Sequence, residues 1–224
     1  MKRVAFYGGS FDPIHKGHLA IAKELTKLFA LDEFVFIPAF HAPHKKDKQV
    51  SSAFHRYSMI ALATNDEAKI KISTIELDAP ERPFTIETQE KLKNVLNKTE
   101  IFFVIGADSW QEINTWREWE NVLTATNIIV VTRPDFEITF SHITDKIKAR
   151  IVDIRGKINE NGLAQTVLTN DFGSKIYITD AVQINISATK IRAKVDGWQE
   201  FVPKEIVKYI EKYGLYDNAE TRAK

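Results

Sequence analysis

A glycine-rich segment near the start of the chain separates an apolar run from a helical pattern. Val4–Tyr7 is typical of a buried strand, and the spacing of apolar residues over Leu19–Leu28 predicts an amphipathic helix. Between them lies Gly8-Gly9-Ser10-Phe11-Asp12-Pro13-Ile14-His15-Lys16-Gly17-His18. A strand, a glycine turn and a helix start bring unpaired backbone N–H groups and the positive end of the helix dipole to one point. The segment therefore predicts an anion-binding site, and phosphate chemistry is the first hypothesis.

Strand-like and helix-like segments alternate along the first 130 or so residues. Runs such as Phe102–Ile105 and Ile128–Val131 indicate strands buried on both faces, as in a parallel sheet. We predict an α/β fold: a Rossmann-like, doubly wound, mainly parallel sheet with helices on both faces and ligands at the strand carboxyl ends. The predicted strands are Val4–Tyr7, Glu33–Ile37, Ile101–Ile105 and Asn127–Thr132; the predicted helices are Leu19–Leu28, Ala53–Thr64 and Ile86–Leu96, the last with Thr85 as its N-cap.

The chain of 224 residues is long enough for one sizeable domain, and we expect residues 1–224 to form a single one. Residues 134–180 are harder to interpret, because turn signals at Asn159–Gly162 and Asn170–Gly173 interrupt short β-like runs. This stretch is interpreted as an inserted hairpin or a lid extension. A C-terminal helix is predicted from Pro203 to Tyr213, and Gly214 is placed to end it.

Composition excludes several classes of function. The net charge is only +1, whereas a general nucleic-acid binder would be strongly basic. The absence of cysteine excludes disulfides, thiolate nucleophiles and zinc–thiolate sites. No apolar run approaches the roughly 18 residues of a membrane span, and the run after Met1-Lys2-Arg3 is too short for a signal peptide. We therefore predict a cytoplasmic protein with no nucleic-acid or membrane partner.

The glycine-rich segment resembles the nucleotidyltransferase signature Gly-x-Phe-x-Pro-x-His-x-x-His, and its expected second half appears far downstream as Ile186-Ser187-Ala188-Thr189-Lys190-Ile191-Arg192. Over most of its length the chain resembles the bacterial nicotinate-mononucleotide adenylyltransferases. This resemblance implies transfer of AMP from ATP to nicotinate mononucleotide, which yields nicotinate adenine dinucleotide and pyrophosphate in the synthesis of NAD. The further features that carry it are Phe36–Ala39, Pro43–Lys45, Phe84–Thr88, Gly106–Trp110, Trp116, Val202–Ile210 and Gly214–Tyr216.

The chemistry implied by the resemblance needs positioning rather than a base, because the attacking phosphate is already an anion. His18 is expected to donate to the α-phosphate, with His15 beside it, and Arg192 is expected to hold the departing phosphates. Ser187 is predicted to cap a helix that carries Thr189 in its first turn. The remaining residues expected at ATP are Gly8, Gly9, Ser10, Phe11, Gly106 and Asp108.

The resemblance places the pyridine nucleotide near Thr85, whose backbone N–H would hold the carboxylate, and Trp116, whose ring would stack on the pyridine. Lys45 and Arg133 are further candidates for phosphate contacts. Phe84 stands where the family prefers tyrosine, which leaves the preference for the acid over the amide open. Pantetheine phosphate remains an alternative acceptor, and a nucleotide-binding protein without turnover is an alternative of another class.

Each motif also has a purely structural interpretation. The histidines could be ordinary polar residues at a helix start, Asp108 could cap a helix, and Trp116 could pack in the core. The pairs His15/His18 and His41/His44 could meet around a metal, but no carboxylate has matching spacing. We therefore predict no resident metal and expect Mg²⁺ to arrive on the ATP phosphates. The sequence leaves open whether copies of the chain assemble into a homo-oligomer.

Overall fold

Seven parallel strands form one sheet in the computed structural model, which describes residues 1–40, 50–134, 136–157 and 173–217. The strands in chain order are β1 (Lys2–Gly9), β2 (Glu33–Pro38), β3 (Ile70–Ile72), β4 (Thr99–Gly106), β5 (Asn127–Val131), β6 (Ile151–Asp153) and β7 (Ile176–Thr179). Across the sheet their order is β3-β2-β1-β4-β5-β7-β6. In the register at the centre, Phe6 lies between Val35 of β2 and Phe103 of β4.

Helices cover both faces of this sheet because alternate residues of each central strand point to opposite sides. Phe102 and Phe103 are neighbours on β4, yet both are buried, one in each of two separate cores. This confirms the predicted doubly wound α/β fold. The helices of the described residues are α1 (Lys16–Leu28), α2 (Ala53–Ala63), α3 (Thr85–Val95), α4 (Ala107–Gln111), α5 (Trp119–Ala125), α6 (Asp145–Lys148), α7 (Ala188–Arg192) and α8 (Lys204–Lys212), with 3₁₀ turns at Ile113–Thr115 and Trp198–Phe201.

Amphipathic spacing decides which face each helix covers. In α1, Ala22, Leu25 and Leu28 are buried at intervals of three residues, and they join α2 and α8 in the core on one side of the sheet. Helices α3, α4 and α5 contribute to the core on the other side, where Trp110 is fully buried.

The chain reverses its direction of travel across the sheet between β1 and β4. After β1 it builds β2 and β3 on one side, and it then returns to place β4 and β5 on the other. In an open parallel sheet, such a reversal leaves a crevice at the carboxyl ends of the two strands. Here those ends are Gly8-Gly9 and Gly106, so the glycine-rich segment and the later glycine face the same crevice.

From the sequence, residues 134–180 are interpreted as an inserted hairpin or a lid extension. For two segments of this stretch, β6 and β7, the structure shows another arrangement. Strands β6 and β7 belong to the main sheet and pair in parallel, with Val152 opposite Tyr177. Runs of three or four residues carry too little periodicity to show which sheet they join. The turn signals at Asn159–Gly162 and the first three residues of Asn170–Gly173 lie outside the described residues.

Two helix ends test the predicted caps. Thr85 is the first residue of α3, and the N-cap is Phe84, whose backbone N–H donates to the Glu87 carboxylate over 2.8 Å. The prediction of Thr85 as N-cap is therefore wrong by one residue. The C-terminal helix is confirmed as α8, and Gly214 follows it with φ of +56°, a left-handed conformation that glycine adopts without strain. In the parts of the chain described above, no helix combines the length and the apolar character needed to cross a membrane.

Candidate active site

A cavity of about 360 Å³ opens at the carboxyl ends of β1 and β4. Its walls also include the start of α3 and the loop after α4. Residues predicted for ATP and residues predicted for the pyridine nucleotide therefore share one cavity. The predicted site residues that line it are Gly8, Gly9, Ser10, Gly106, Asp108, Thr85, Trp116 and Arg133.

The two histidines of the first motif stack at the start of α1. His15 is the N-cap residue, and its ring lies parallel to that of His18 with 3.7 Å between centroids. The His15 backbone N–H donates to Nδ1 of His18 over 3.3 Å. Because Nδ1 accepts, the proton of a neutral His18 must lie on Nε2, which leaves that atom as a donor.

Burial keeps both imidazoles neutral at pH 7. It lowers the pKa of His15 to about 4, with a smaller contribution from the Arg133 charge. Burial also holds the pKa of His18 well below its usual range, assisted by the neighbouring His15. His18 therefore presents a neutral N–H donor rather than a charge, as a group that stabilises an oxyanion can do.

Two glycines of the motif make room for rings. A side chain at Gly17 would approach Nδ1 of His15 to 3.1 Å, and one at Gly9 would approach the Phe11 ring to 2.8 Å. The Phe11 ring is 3% exposed and packs edge-on against His18, with 5.0 Å between centroids. The Phe11 side chain thus supports His18 from the core, so the contact with ATP predicted for Phe11 can come only from its backbone.

The second motif meets the first through Arg192. Ser187 occupies the predicted N-cap position of α7 but its side chain makes no capping hydrogen bond, and Thr189 lies in the first turn. The Arg192 guanidinium donates from Nη1 to the backbone carbonyl of Asp12 over 2.7 Å and from Nη2 to Oγ1 of Thr189 over 3.2 Å. Residues 180 positions apart in sequence are therefore in direct contact.

Asp108 and Arg133 form an ion pair at the rim. Asp108 Oδ2 lies 3.0 Å from Nη1 of Arg133, and both side chains are more than half exposed. The alternative that Asp108 caps a helix is wrong, because Gly106 is the N-cap of α4. An exposed pair of this kind is worth about 0–1 kcal/mol, so it holds neither side chain firmly in place.

Trp116 fits both of its interpretations. It is half-buried, packs against the core beneath α3 and α5, and also lines the cavity. Trp110 is purely a core residue, and its indole N–H donates to the Thr139 carbonyl. At the cavity wall, the Arg117 guanidinium lies 4.6 Å from the centroid of the Phe84 ring, a cation–π contact.

Arg56 supports the loops beside the site, and the sequence predictions did not include it. Its side chain is buried, and its guanidinium donates to four backbone carbonyls: Ser10 over 2.8 Å, Ala39 over 2.5 Å, Ser51 over 3.1 Å and Phe40 over 3.4 Å. It thereby ties the loop after β1 to the loop after β2. A signal did exist, since Arg56 stands at helical spacing with buried Met59 and Ile60, where a charge is unusual.

Replacement of Arg56 by lysine is expected to lower the free energy of unfolding by about 2 kcal/mol, since an ammonium group cannot reach all four carbonyls that the guanidinium bonds. Thermal denaturation should show a fall in Tm of about 4–8 °C. The exposed Arg82 provides the matched control, and Arg82→Lys should change stability by less than about 0.5 kcal/mol. An Arg56→Lys protein as stable as the parent would show that this guanidinium does not hold the two loops.

Three predicted features cannot be placed. Lys45, His41 and His44 lie outside the described residues, so the phosphate contact of Lys45 stays a prediction and the alternative of a four-histidine metal site is not tested. Within the described ranges, no group of three or more His, Asp or Glu side chains is arranged to hold a metal ion.

The fold and the paired phosphate motifs define a nucleotide-binding α/β protein of the nucleotidyltransferase class. The chain matches the cytidylyltransferase-like family over residues 6–194. A protein of Citrifermentans bemidjiense is 36% identical over 220 residues, which span 97% of this chain and 99% of that protein. One of Thermoanaerobacter sp. is 34% identical over 222 residues, 97% and 96% of the two chains. Both are named probable nicotinate-nucleotide adenylyltransferases.

Solved structures share the fold at low identity. Two structures of a Plasmodium falciparum nicotinic acid mononucleotide adenylyltransferase, one complexed with APC and one with NaAD, superpose with TM-scores of 0.70 and 0.71. They are 19% and 20% identical and cover 97% of this chain and 98% of theirs. The chain belongs to the cytidylyltransferase-like family and, within it, to the nicotinate-nucleotide adenylyltransferase group. This confirms the resemblance drawn from the motifs.

Proposed function

We propose that the protein transfers AMP from ATP to nicotinate mononucleotide, forming nicotinate adenine dinucleotide and releasing pyrophosphate. The contact between Arg192 and the Asp12 carbonyl carries this proposal. It brings the arginine expected at the departing phosphates to the same loop that leads into His15 and His18. Beside that loop lies the cavity that contains the pyridine candidates Thr85 and Trp116.

In the proposed reaction, an oxygen of the mononucleotide 5′-phosphate attacks the α-phosphorus of ATP in line. A phosphorus–oxygen bond forms on one side, and the bond to the β-phosphate breaks on the other. The Nε2–H of His18 donates to a non-bridging α-phosphate oxygen, where negative charge increases in the transition state. Arg192, with the Ser187 and Thr189 hydroxyls, holds the phosphates that depart as pyrophosphate. No deprotonating base is needed.

The pyridine end of the acceptor is assigned to the wall formed by α3 and the loop after α4. Thr85 is the first residue of α3, so its N–H lies among the unpaired donors of a helix start, which favour a carboxylate. Arg82, Arg117 and Arg133 line the same cavity, where the charge of Arg133 is paired with Asp108 and that of Arg117 with Glu87. These features favour the acid over the amide and compensate for the phenol that Phe84 lacks.

The nucleotide substrate is proposed to be the Mg²⁺ complex of ATP. Mg²⁺ prefers phosphate oxygens and water to an all-protein cage, so the ATP phosphates can supply most of its ligands. Lys45 is proposed to contact a phosphate and Asp108 a ribose hydroxyl. We also propose that the reaction takes place in the cytoplasm.

The test is pyrophosphate release with Mg²⁺-ATP and each of three acceptors: nicotinate mononucleotide, nicotinamide mononucleotide and phosphopantetheine. We expect kcat/KM for the acid to exceed that for the amide by about tenfold or more, since the amide leaves the donors at Thr85 without a charged partner. Phosphopantetheine should be inactive.

A matched pair of variants tests the ring assignment. Trp116→Ala should raise KM for nicotinate mononucleotide by about tenfold, whereas Trp116→Phe, which keeps an aromatic face, should raise it less. Preference for another acceptor would refute the assignment of the pyridine pocket but would leave adenylyl transfer as the reaction. If a folded protein that binds ATP released no pyrophosphate with any of the three acceptors, a binding protein without turnover would be favoured.

A further inference from the structure

The last described residues of the chain form a hook that returns to the phosphate motifs. This C-terminal hook (Gly214-Leu215-Tyr216-Asp217) follows α8. Leu215 is buried in the core, and its N–H donates to the Ile210 carbonyl over 2.9 Å. Tyr216 has φ of +66°, a left-handed conformation that a bulky residue adopts only when its surroundings hold it.

Tyr216 is held by a buried carboxylate of the first motif. Its hydroxyl donates to Oδ1 of Asp12 over 2.7 Å, and the Ser51 backbone N–H donates to Oδ2 over 3.2 Å. Asp12 is only 2% exposed. Each oxygen of this carboxylate thus has its own donor, which fixes the orientation of the side chain. Asp217 adds an ion pair to Lys194, two residues beyond Arg192.

Asp12 connects the hook to the arginine of the second motif. While its carboxylate accepts from Tyr216, its backbone carbonyl accepts from Nη1 of Arg192 over 2.7 Å. Three segments therefore meet at one residue: the loop after β1, the helix α7 and the C-terminal hook. Within this junction, the Tyr216 hydroxyl is the group of the hook that bonds the Asp12 carboxylate.

We propose that Tyr216 is a positioning residue for adenylyl transfer, which holds Asp12 so that its carbonyl aims the Arg192 guanidinium at the departing phosphates. This inference rests on the proposed function. Without the tyrosine hydroxyl, Oδ1 of Asp12 loses its donor in a buried place, and the loop must shift to find another. A small shift of the Asp12 carbonyl turns the Arg192 guanidinium away from the phosphates, and phosphate binding by a guanidinium depends on its geometry.

The first experiment compares Tyr216→Phe with Tyr209→Phe in steady-state pyrophosphate release. Tyr216→Phe removes only the hydroxyl and should lower kcat/KM for Mg²⁺-ATP by about tenfold, with KM for nicotinate mononucleotide within about twofold of the parent value. Tyr209 is the matched control, since its hydroxyl bonds Nδ1 of His55 over 3.0 Å and ties α8 to α2 without touching Asp12. Tyr209→Phe should leave both constants within about twofold.

A double-mutant cycle shows whether Tyr216 acts through Arg192. In an Arg192→Ala background, Tyr216→Phe should reduce activity by less than about twofold, because the group it positions is gone. Binding of inorganic pyrophosphate, measured by calorimetry, should weaken about tenfold in Tyr216→Phe and stay unchanged in Tyr209→Phe.

Several results would overturn the inference. These are a Tyr216→Phe protein within twofold of the parent, an equal loss in Tyr209→Phe, or an undiminished loss in the Arg192→Ala background. If Tyr216→Phe does not fold, Asp12→Asn replaces it, since this variant keeps the backbone carbonyl but weakens the acceptor, and the same constant must fall. A parent protein without adenylyl transfer would refute the proposed function, whereas a fully active Tyr216→Phe would refute only the role of Tyr216.

Discussion

Replacement of His18 by alanine is expected to lower kcat for pyrophosphate release by on the order of a hundredfold or more, the usual loss for one transition-state donor. The physical reason lies in the hydrogen bond from the His15 N–H to Nδ1 of His18. This bond directs the proton to Nε2. The stacking of the His18 ring on the His15 ring holds its orientation. Since the donor acts where charge develops, its loss should appear in kcat more than in KM.

The measurement is steady-state kinetics on His18→Ala, with circular dichroism to show that it folds. His55→Ala is the control, because His55 lies on α2 and its ring bonds the hydroxyl of Tyr209 on α8. Near-normal turnover in folded His18→Ala would remove His18 from the mechanism.

The pH profile gives the His18 prediction a second readout. Burial holds the pKa of His18 well below its usual range and lowers that of His15 to about 4. Both rings therefore stay neutral as the pH falls from 8 to 6, and Nε2 of His18 keeps its proton throughout. The kcat of the parent should show no inflexion near 6.5, the ordinary histidine value. An inflexion there that disappears in His18→Ala would mean that a charged imidazole takes part.

Replacement of Arg192 is expected to have the second large effect. Arg192→Ala should lower kcat/KM for Mg²⁺-ATP by on the order of a hundredfold, and Arg192→Lys by about tenfold or more. The guanidinium uses one nitrogen for the Asp12 carbonyl and another for Thr189, so it is held in place while its remaining donors can face the phosphates. A lysine ammonium keeps the charge but cannot reproduce this fork.

Lys190→Ala provides the control for charge alone. Lys190 is an exposed cation on the same short helix, and its loss should change kcat/KM by less than about threefold at 0.15 M salt, where exposed charges are screened. If Arg192→Lys were fully active, positive charge alone would account for phosphate binding at this motif, and the fork geometry would be irrelevant.

Much of the framework follows from local sequence. The apolar runs at Val4–Tyr7, Ile101–Ile105 and Asn127–Thr132 predicted strands that the structure extends by only a few residues or shortens by one. The glycines of the first motif predicted a turn, and the structure adds that a side chain at Gly9 or Gly17 would come too close to a neighbouring ring. Strands and turns of this kind can be predicted from sequence because hydrophobic periodicity and turn-forming residues involve only neighbours in the chain.

Other features needed the three-dimensional structure. The N-cap of α3 is Phe84 and not the predicted Thr85. The Glu87 side chain, three residues on, accepts from the Phe84 N–H. The short runs that form β6 and β7 could not be assigned to the main sheet from their own residues. Their place follows from the pairing of β7 with β5 and of β6 with β7, which only the assembled sheet provides.

The sequence by itself determined the strand–turn–helix unit, the two phosphate motifs and the alternation that leads to a doubly wound sheet. Only the tertiary structure decided that Arg192 contacts Asp12, that Tyr216 holds Asp12 from 204 positions away, and that Arg56 is buried among four carbonyls. These contacts satisfy buried polar groups of distant segments. A buried carbonyl or carboxylate must find a donor, but which donor lies within reach is set by how the whole chain packs.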